Sequence, residues 1–180
     1  LRWERKTSVA AATDGIMAVE DLRGMKAAIG PGRPLLGLDV GSKTIGLALS
    51  DIGLSVATPY RTLSRNKFEK DADELCRIVA GEGVGGLVIG LPVEMDGGEG
   101  RRCQSTRQFA ANLLERIDIA IAFWDERLST AAVERMLIKE ADMTRKRRAQ
   151  VIDKAAAAYI LQGALDAMGR LKAPDAMDNS

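Results

Sequence analysis

The sequence contains no histidine. That absence removes Ser-His-Asp and Cys-His catalysis, H-E-x-x-H zinc sites and imidazole acid–base pairs in one step. Only two cysteines are present, Cys76 and Cys103. They are too few and too isolated for a zinc site or a disulfide framework, and both fall at helix-like positions expected to hold reduced, buried or half-buried thiols. No apolar run approaches the length of about 18 residues that a membrane span needs. Nor does an apolar segment follow the basic residues of Leu1–Ala12, so no secretory signal is read and a soluble, cytoplasmic protein is expected. A surplus of either charge is also missing: 26 Lys and Arg face 25 Asp and Glu, a formal net charge of +1. A globally basic nucleic-acid surface is thereby excluded, whereas a local basic patch is not. Any catalysis must rest on carboxylates, lysines, hydroxyls or a metal held by oxygen.

What is present suits one domain: 180 residues, 46% of them apolar, enough for a single sizeable core. The first methionine is Met17, and residues 1–16 are expected to be disordered. A short helix is expected over 17–29, with Val19, Leu22 and Met25 on one face, followed by a Gly- and Pro-rich linker over 30–34. Residues 1–34 thus read as an N-terminal extension, 35–172 as the domain and 173–180 as a loose tail.

Within the domain, Leu35-Leu36-Gly37-Leu38-Asp39-Val40 is a short apolar run of the kind expected for a buried strand. A tight turn over 41–44 follows, and then Ile45, Leu47 and Leu49 alternate at strand period, giving an antiparallel hairpin. Ala57 to Leu63 is a third strand, with Pro59 marking an edge. Phe68, Ala72, Leu75 and Val79 recur at helical spacing up to Gly81 and Gly83. Leu87 to Leu91 is a strand stopped by Pro92. Phe109, Leu113 and Ile117 form a second amphipathic helix. Ile119 to Trp124 is the fifth strand. Ser129 or Thr130 can cap a further helix through Val133, Met136 and Leu137, and an alanine-rich helix from about Gln150 to Met168 closes the chain. The order is βββαβαβαα, an α/β fold with a five-stranded mixed sheet in which the first, fourth and fifth strands run parallel. Sites in open α/β sheets gather at the carboxyl ends of such strands.

Acids that end strands therefore carry the functional reading. Asp39 lies near the end of the first strand inside an apolar run. A turn carboxylate bonded to the backbone of Gly41 or Ser42 is the plain alternative to a metal ligand. Asp125 and Glu126 end the fifth strand, and since neighbours point to opposite faces only one of them can aim at a shared centre. Glu126 is preferred for its longer reach, leaving Asp125 to pair with Arg127. Asp153 lies near the start of the last helix, where the helix dipole alone could favour it, but Ala155 to Ala158 would let that helix pack closely enough to carry it to the strand ends. Three acids without histidine point to Mg²⁺ or Mn²⁺, hard cations that take oxygen ligands. They can activate water and stabilise an in-line displacement at phosphorus. Lys43, Arg127 and the run Arg145, Lys146, Arg147 and Arg148 are candidate phosphate contacts; for the run, a solvated helix end is the alternative. A P-loop is rejected: Gly37 to Thr44 nearly fits G-x-x-x-x-G-K-[ST], but Ser42 replaces the second glycine and a strand, not a helix, follows.

Five segments in order, Leu36-Gly-Leu-Asp39-Val-Gly-Ser-Lys43-Thr-Ile-Gly-Leu-Ala, Val88-Ile-Gly-Leu-Pro92, Met95-Asp96-Gly97, Trp124-Asp-Glu-Arg-Leu-Ser-Thr130 and Val151-Ile-Asp153-Lys-Ala-Ala, together resemble the YqgF (RuvX) family. This is a family of pre-16S rRNA nucleases related to RuvC-type Holliday junction resolvases. The resemblance spans residues 35–172. It implies a ribonuclease H-like fold, dependence on Mg²⁺ or Mn²⁺, and a role in maturing the 5′ end of 16S rRNA alongside ribosome-assembly intermediates. The family's acidic positions fall on Asp39, Asp125-Glu126 and Asp153. Branched DNA is the alternative substrate, a non-catalytic ribosome-assembly factor that binds nucleic acid is the non-enzymatic alternative, and a monomer or weak homodimer is expected. An actin-like nucleotide-binding protein would need a second domain. Two departures stand out: Glu94 where Asn is expected, adding a carboxylate near the site's edge, and Gly98 where Ser or Thr is usual.

Overall fold

A computed structural model describes residues 16–128 and 145–171 of the chain. Helix α1 spans Ile16–Ala28, and the sheet opens with β1 (Leu35–Val40), β2 (Thr44–Ser50) and β3 (Ala57–Ser64). Then come α2 (Phe68–Glu82), β4 (Gly86–Leu91), α3 (Arg101–Leu114), β5 (Ala120–Asp125), a single 3₁₀ turn (Glu126–Leu128) and α4 (Arg145–Arg170). Of the segment expected to be disordered, residues 1–15 lie outside the described residues while Ile16 opens α1; the helix placed through Val133, Met136 and Leu137 and the tail after Lys172 also lie outside them.

The five strands form one mixed sheet in the order β3-β2-β1-β4-β5. β2 pairs antiparallel with β1 and β3, while β4 lies parallel between β1 and β5. Pro59, which cannot donate to a ladder, sits on the edge strand β3. It pairs with Ala48 where the β2–β3 register shifts.

Strand alternation sorts the side chains into two layers. Leu36, Leu38, Ile45, Leu47, Leu87 and Ile89 face α2 and α3, meeting Ala72, Leu75, Ile78, Phe109 and Leu113. Leu35, Ala48, Val88, Ala122 and Trp124 face the other way, onto Leu22 and Met25 of α1 and onto Ala157, Ile160, Leu161 and Ala164 of α4. Leu22 and Leu161 are fully buried. Helix α1 is therefore part of the packed structure, with its Leu22 and Met25 spacing supplying the buried face.

Small residues let α4 lie directly on the sheet. A Cβ on Gly37 would stand 2.7 Å from the Cβ of Leu161, and one on Gly46 would collide with the carbonyl of Asp153. Alanine at 155 and 157, both buried, completes the close approach from the helix side. α4 also begins earlier than its alanine-rich stretch suggests, at Arg145 rather than near Gln150. Arg, Lys, Ala and Gln are all strong helix formers and nothing between 145 and 150 breaks the helix. The basic run thus forms the first turn of α4 instead of preceding it.

Candidate metal and nucleic-acid site

The site forms at the carboxyl ends of β1, β4 and β5, and ladder register decides which acids share it. Asp39 pairs with Gly46 across the β1–β2 ladder, so their side chains leave the same face of the sheet. Because Gly46 has no side chain, the backbone of Asp153 rests over it. Asp39 and Asp153, 114 positions apart in the chain, are neighbours for that reason. The hydroxyl of Thr44, the first residue of β2, donates to Asp153 Oδ2 at 2.7 Å and fixes that carboxylate. Asp153 occupies the third turn of α4, beyond the reach of the N-terminal dipole, which fades within the first turn. The dipole explanation for this acid is thereby removed.

Parity also separates the two acids after β5. Ala122 and Trp124 are buried on the α4 face, and Glu126 continues that alternation. A Cβ on Gly90 would lie 2.8 Å from Glu126 Oε1. The glycine at the end of the middle strand is what allows the Glu126 side chain to lie across β4 towards Asp39. Asp125 is held elsewhere. It accepts from the Arg127 backbone amide at 2.9 Å and from the guanidinium at 2.6 to 3.1 Å. The structure thus brings Asp39 together with Asp153 and with Glu126, and leaves Asp125 in an ion pair with Arg127.

Electrostatics report the same grouping. Burial, followed by the negative charge of Asp153, raises the Asp39 carboxyl from 3.8 to about 6. Burial, followed by the charge of Asp39, raises Glu126 from 4.5 to about 7. In both cases the Arg102 guanidinium opposes the rise. Carboxylates crowded and desolvated in this way are unfavourable as free anions, and a cation among them reverses the sign of the interaction. The donor set fits a hard divalent ion: carboxylate oxygens, with no histidine anywhere in the chain. Among the described residues no three His, Cys, Asp or Glu side chains stand close enough to enclose a metal alone. The fit is therefore to an ion held by one or two carboxylates that completes its shell with water and substrate phosphate, the usual Mg²⁺ arrangement.

The turn alternative for Asp39 loses its main partner, since the Gly41 amide donates to the Thr44 carbonyl at 2.9 Å. The turn itself is braced by Arg65, whose guanidinium donates to Gly41 O at 3.0 Å and pairs with the buried Asp71. Lys43 stands exposed on it. Arg127, besides holding Asp125, approaches the Glu94 carbonyl at 3.4 Å. Glu94 is exposed, its backbone closed into a turn with Gly97 and Gly98, and its carboxylate packs over Gly100 at the start of α3. For Arg145, Lys146, Arg147 and Arg148 the structure gives helical backbone at the start of α4. Arg102, in the first turn of α3, is the charged group acting on these acids that the spacing did not single out, and no local motif marks it.

Comparison with known proteins follows the same lines. Residues 33–167 match the family described as RuvX: Holliday junction resolvase. A protein of Rhodospirillum rubrum named "Putative pre-16S rRNA nuclease" is 59% identical over 86% of this chain and 96% of its own length. A protein of the same name from Paramagnetospirillum magneticum is 67% identical over 73% of this chain and 84% of its own. Among solved structures, T. thermophilus RuvC in complex with Holliday junction substrate superimposes with a TM-score of 0.51 at 12% identity, covering 78% of this chain and 98% of that one. At that identity the likeness bears on fold, and the fold is ribonuclease H-like.

Proposed function

The chain belongs to the RuvX family, and from that premise we propose that it is a divalent-metal-dependent nuclease that hydrolyses phosphodiester bonds in maturing the 5′ end of pre-16S rRNA. The observation that carries this reading is the seating of α4 on Gly46, which sets Asp153 beside Asp39 while Gly90 admits Glu126 from the other side. Asp39 together with Glu126 or Asp153 would hold Mg²⁺ or Mn²⁺, with water and substrate phosphate completing the ion's shell. When bound, such an ion supplies a nucleophilic water at neutral pH and offsets charge gathering on the phosphate oxygens. The chain's own groups do the rest. The Thr44 hydroxyl keeps Asp153 oriented. Arg65 holds the Gly41–Thr44 turn, so that Lys43 can meet a neighbouring phosphate, and Arg145, Lys146, Arg147 and Arg148 would add further phosphate contacts. The protein works in the cytoplasm on ribosome-assembly intermediates, as a monomer or weak homodimer. No described helix is long and apolar enough to cross a membrane.

A second reading has its own support: the family's description and the fold likeness to a junction-bound resolvase favour branched DNA. The chemistry is the same, so substrate choice separates the two. Purified protein with Mg²⁺ or Mn²⁺ is offered a labelled 5′ precursor rRNA fragment and a four-way DNA junction at equal concentration. Faster cutting of the RNA, abolished in Asp39→Asn, supports the proposal; preference for the junction supports the second reading. Cutting of either substrate at the same rate by Asp39→Asn refutes the site, and tight binding without cutting by the wild type marks a non-catalytic assembly factor.

A further inference from the structure

The middle strand of the site ends without an acid, in Gly90-Leu91-Pro92. The first turn of α3 lies against the end of this strand. The thiol of buried Cys103 donates to the Pro92 carbonyl at 3.0 Å, tying this turn to the end of β4. The neighbouring residue Arg102 is exposed, and it stands close enough to act on Asp39 and Glu126, the acids at the ends of β1 and β5. Two other arginines are committed: Arg127 is paired with Asp125 at 2.6 Å and Arg107 with Glu99 at 2.5 Å. Among the described residues the Arg102 guanidinium is in no such ion pair. It is a cation within electrostatic reach of two carboxylates.

We infer that Arg102 is a substrate-contacting residue, its guanidinium gripping a non-bridging oxygen of the phosphodiester that lies between Asp39 and Glu126. The inference rests on the nuclease reading in taking a phosphodiester as the ligand. A planar fork of donors suits a phosphate in this place better than a point charge. An anion entering a pocket of carboxylates also needs a fixed positive group on its far side. Arg102 is carried by α3 and Lys43 by the turn between β1 and β2, so the two would grip different parts of the backbone.

The test uses Arg102→Ala and Arg102→Lys, with Arg101→Ala as control for loss of one charge from the same exposed turn. Binding of the labelled 5′ precursor rRNA fragment and of the four-way DNA junction is measured from low to moderate salt, in an Asp39→Asn background so that nothing is cut. Single-turnover cleavage is measured without that background change. Removing one phosphate contact should flatten the logarithmic salt dependence of binding by about 1. Removing a donor to the reacting phosphate should slow cleavage by about 10²-fold or more. Arg102→Lys should restore the salt dependence but only part of the rate, and Arg101→Ala should leave the rate near that of wild type. A role confined to holding the acidic residues together would appear as a changed melting temperature with the salt dependence intact, and that result overturns the inference. So does an Arg102→Ala protein that binds and cuts like wild type, an outcome that leaves the nuclease reading standing. If instead wild type cuts neither probe while Arg102→Ala still flattens the salt dependence, the nuclease reading falls and the phosphate contact survives it.

Discussion

Neutralising Asp39 should make the metal-free protein more stable at alkaline pH. Its carboxyl is raised from 3.8 to about 6 by burial and by Asp153. At about 1.4 kcal/mol per tenfold change in proton affinity, ionising it in the folded chain costs about 3 kcal/mol relative to the unfolded chain. The folded state binds this proton more tightly, so the stability linked to it is fully present below pH 4. It is lost as pH rises through about 6. Asp39→Asn never ionises and escapes the loss. Urea unfolding in EDTA should therefore give equal stabilities for the two proteins near pH 4. By pH 8 the variant should lead by about 1 to 3 kcal/mol, the lower figure allowing for relaxation around the charge. Adding Mg²⁺ at pH 8 should close most of the gap or reverse it. A ligand at a hundred times its dissociation constant stabilises by about 2.7 kcal/mol, and only the wild type retains the site. A gap between the two proteins that is the same at pH 4 and pH 8, or an equal response to Mg²⁺, would refute the reasoning.

Glu126→Gln should slow cleavage by about 10²-fold or more, and Asp125→Asn by far less, because Asp125 points to Arg127 rather than to Asp39; single-turnover rates on one substrate compare them. Gly46→Ala forces a methyl group onto the Asp153 carbonyl and should destabilise by about 1 to 3 kcal/mol while abolishing cleavage, read by urea unfolding and activity together. Thr44→Val removes the hydrogen bond to Asp153 and should weaken Mn²⁺ binding by about 10- to 100-fold with the fold retained, as calorimetry would report.

Much of this arrangement is legible in the chain because its signals are local. The Leu35–Val40 run, the alternation from Ile45 and the proline at 59 each state a strand and its place, and the parallel run of β1, β4 and β5 follows from helix-length crossovers. Asp39, Glu126 and Asp153 stand out because each interrupts or ends an apolar pattern. Other features depend on distant partners. Glu126 is distinguished from Asp125 by parity with the buried Trp124 and by the missing side chain at Gly90, a residue 36 positions earlier. The start of α4 is obscured because a run of Arg and Lys reads equally as a solvated loop or as a helix turn. Arg102 lies in no motif: its position depends on the Cys103–Pro92 tie and on β4 lying between β1 and β5.

Crystals grown with Mn²⁺ at pH 8 and measured near the manganese absorption edge would test the central claim most directly. The account predicts an anomalous peak within about 2.0–2.2 Å of an Asp39 oxygen and of an oxygen from Glu126 or Asp153. A well-occupied peak confined to Glu94 and Asp96, or none near Asp39 at millimolar Mn²⁺, would contradict it.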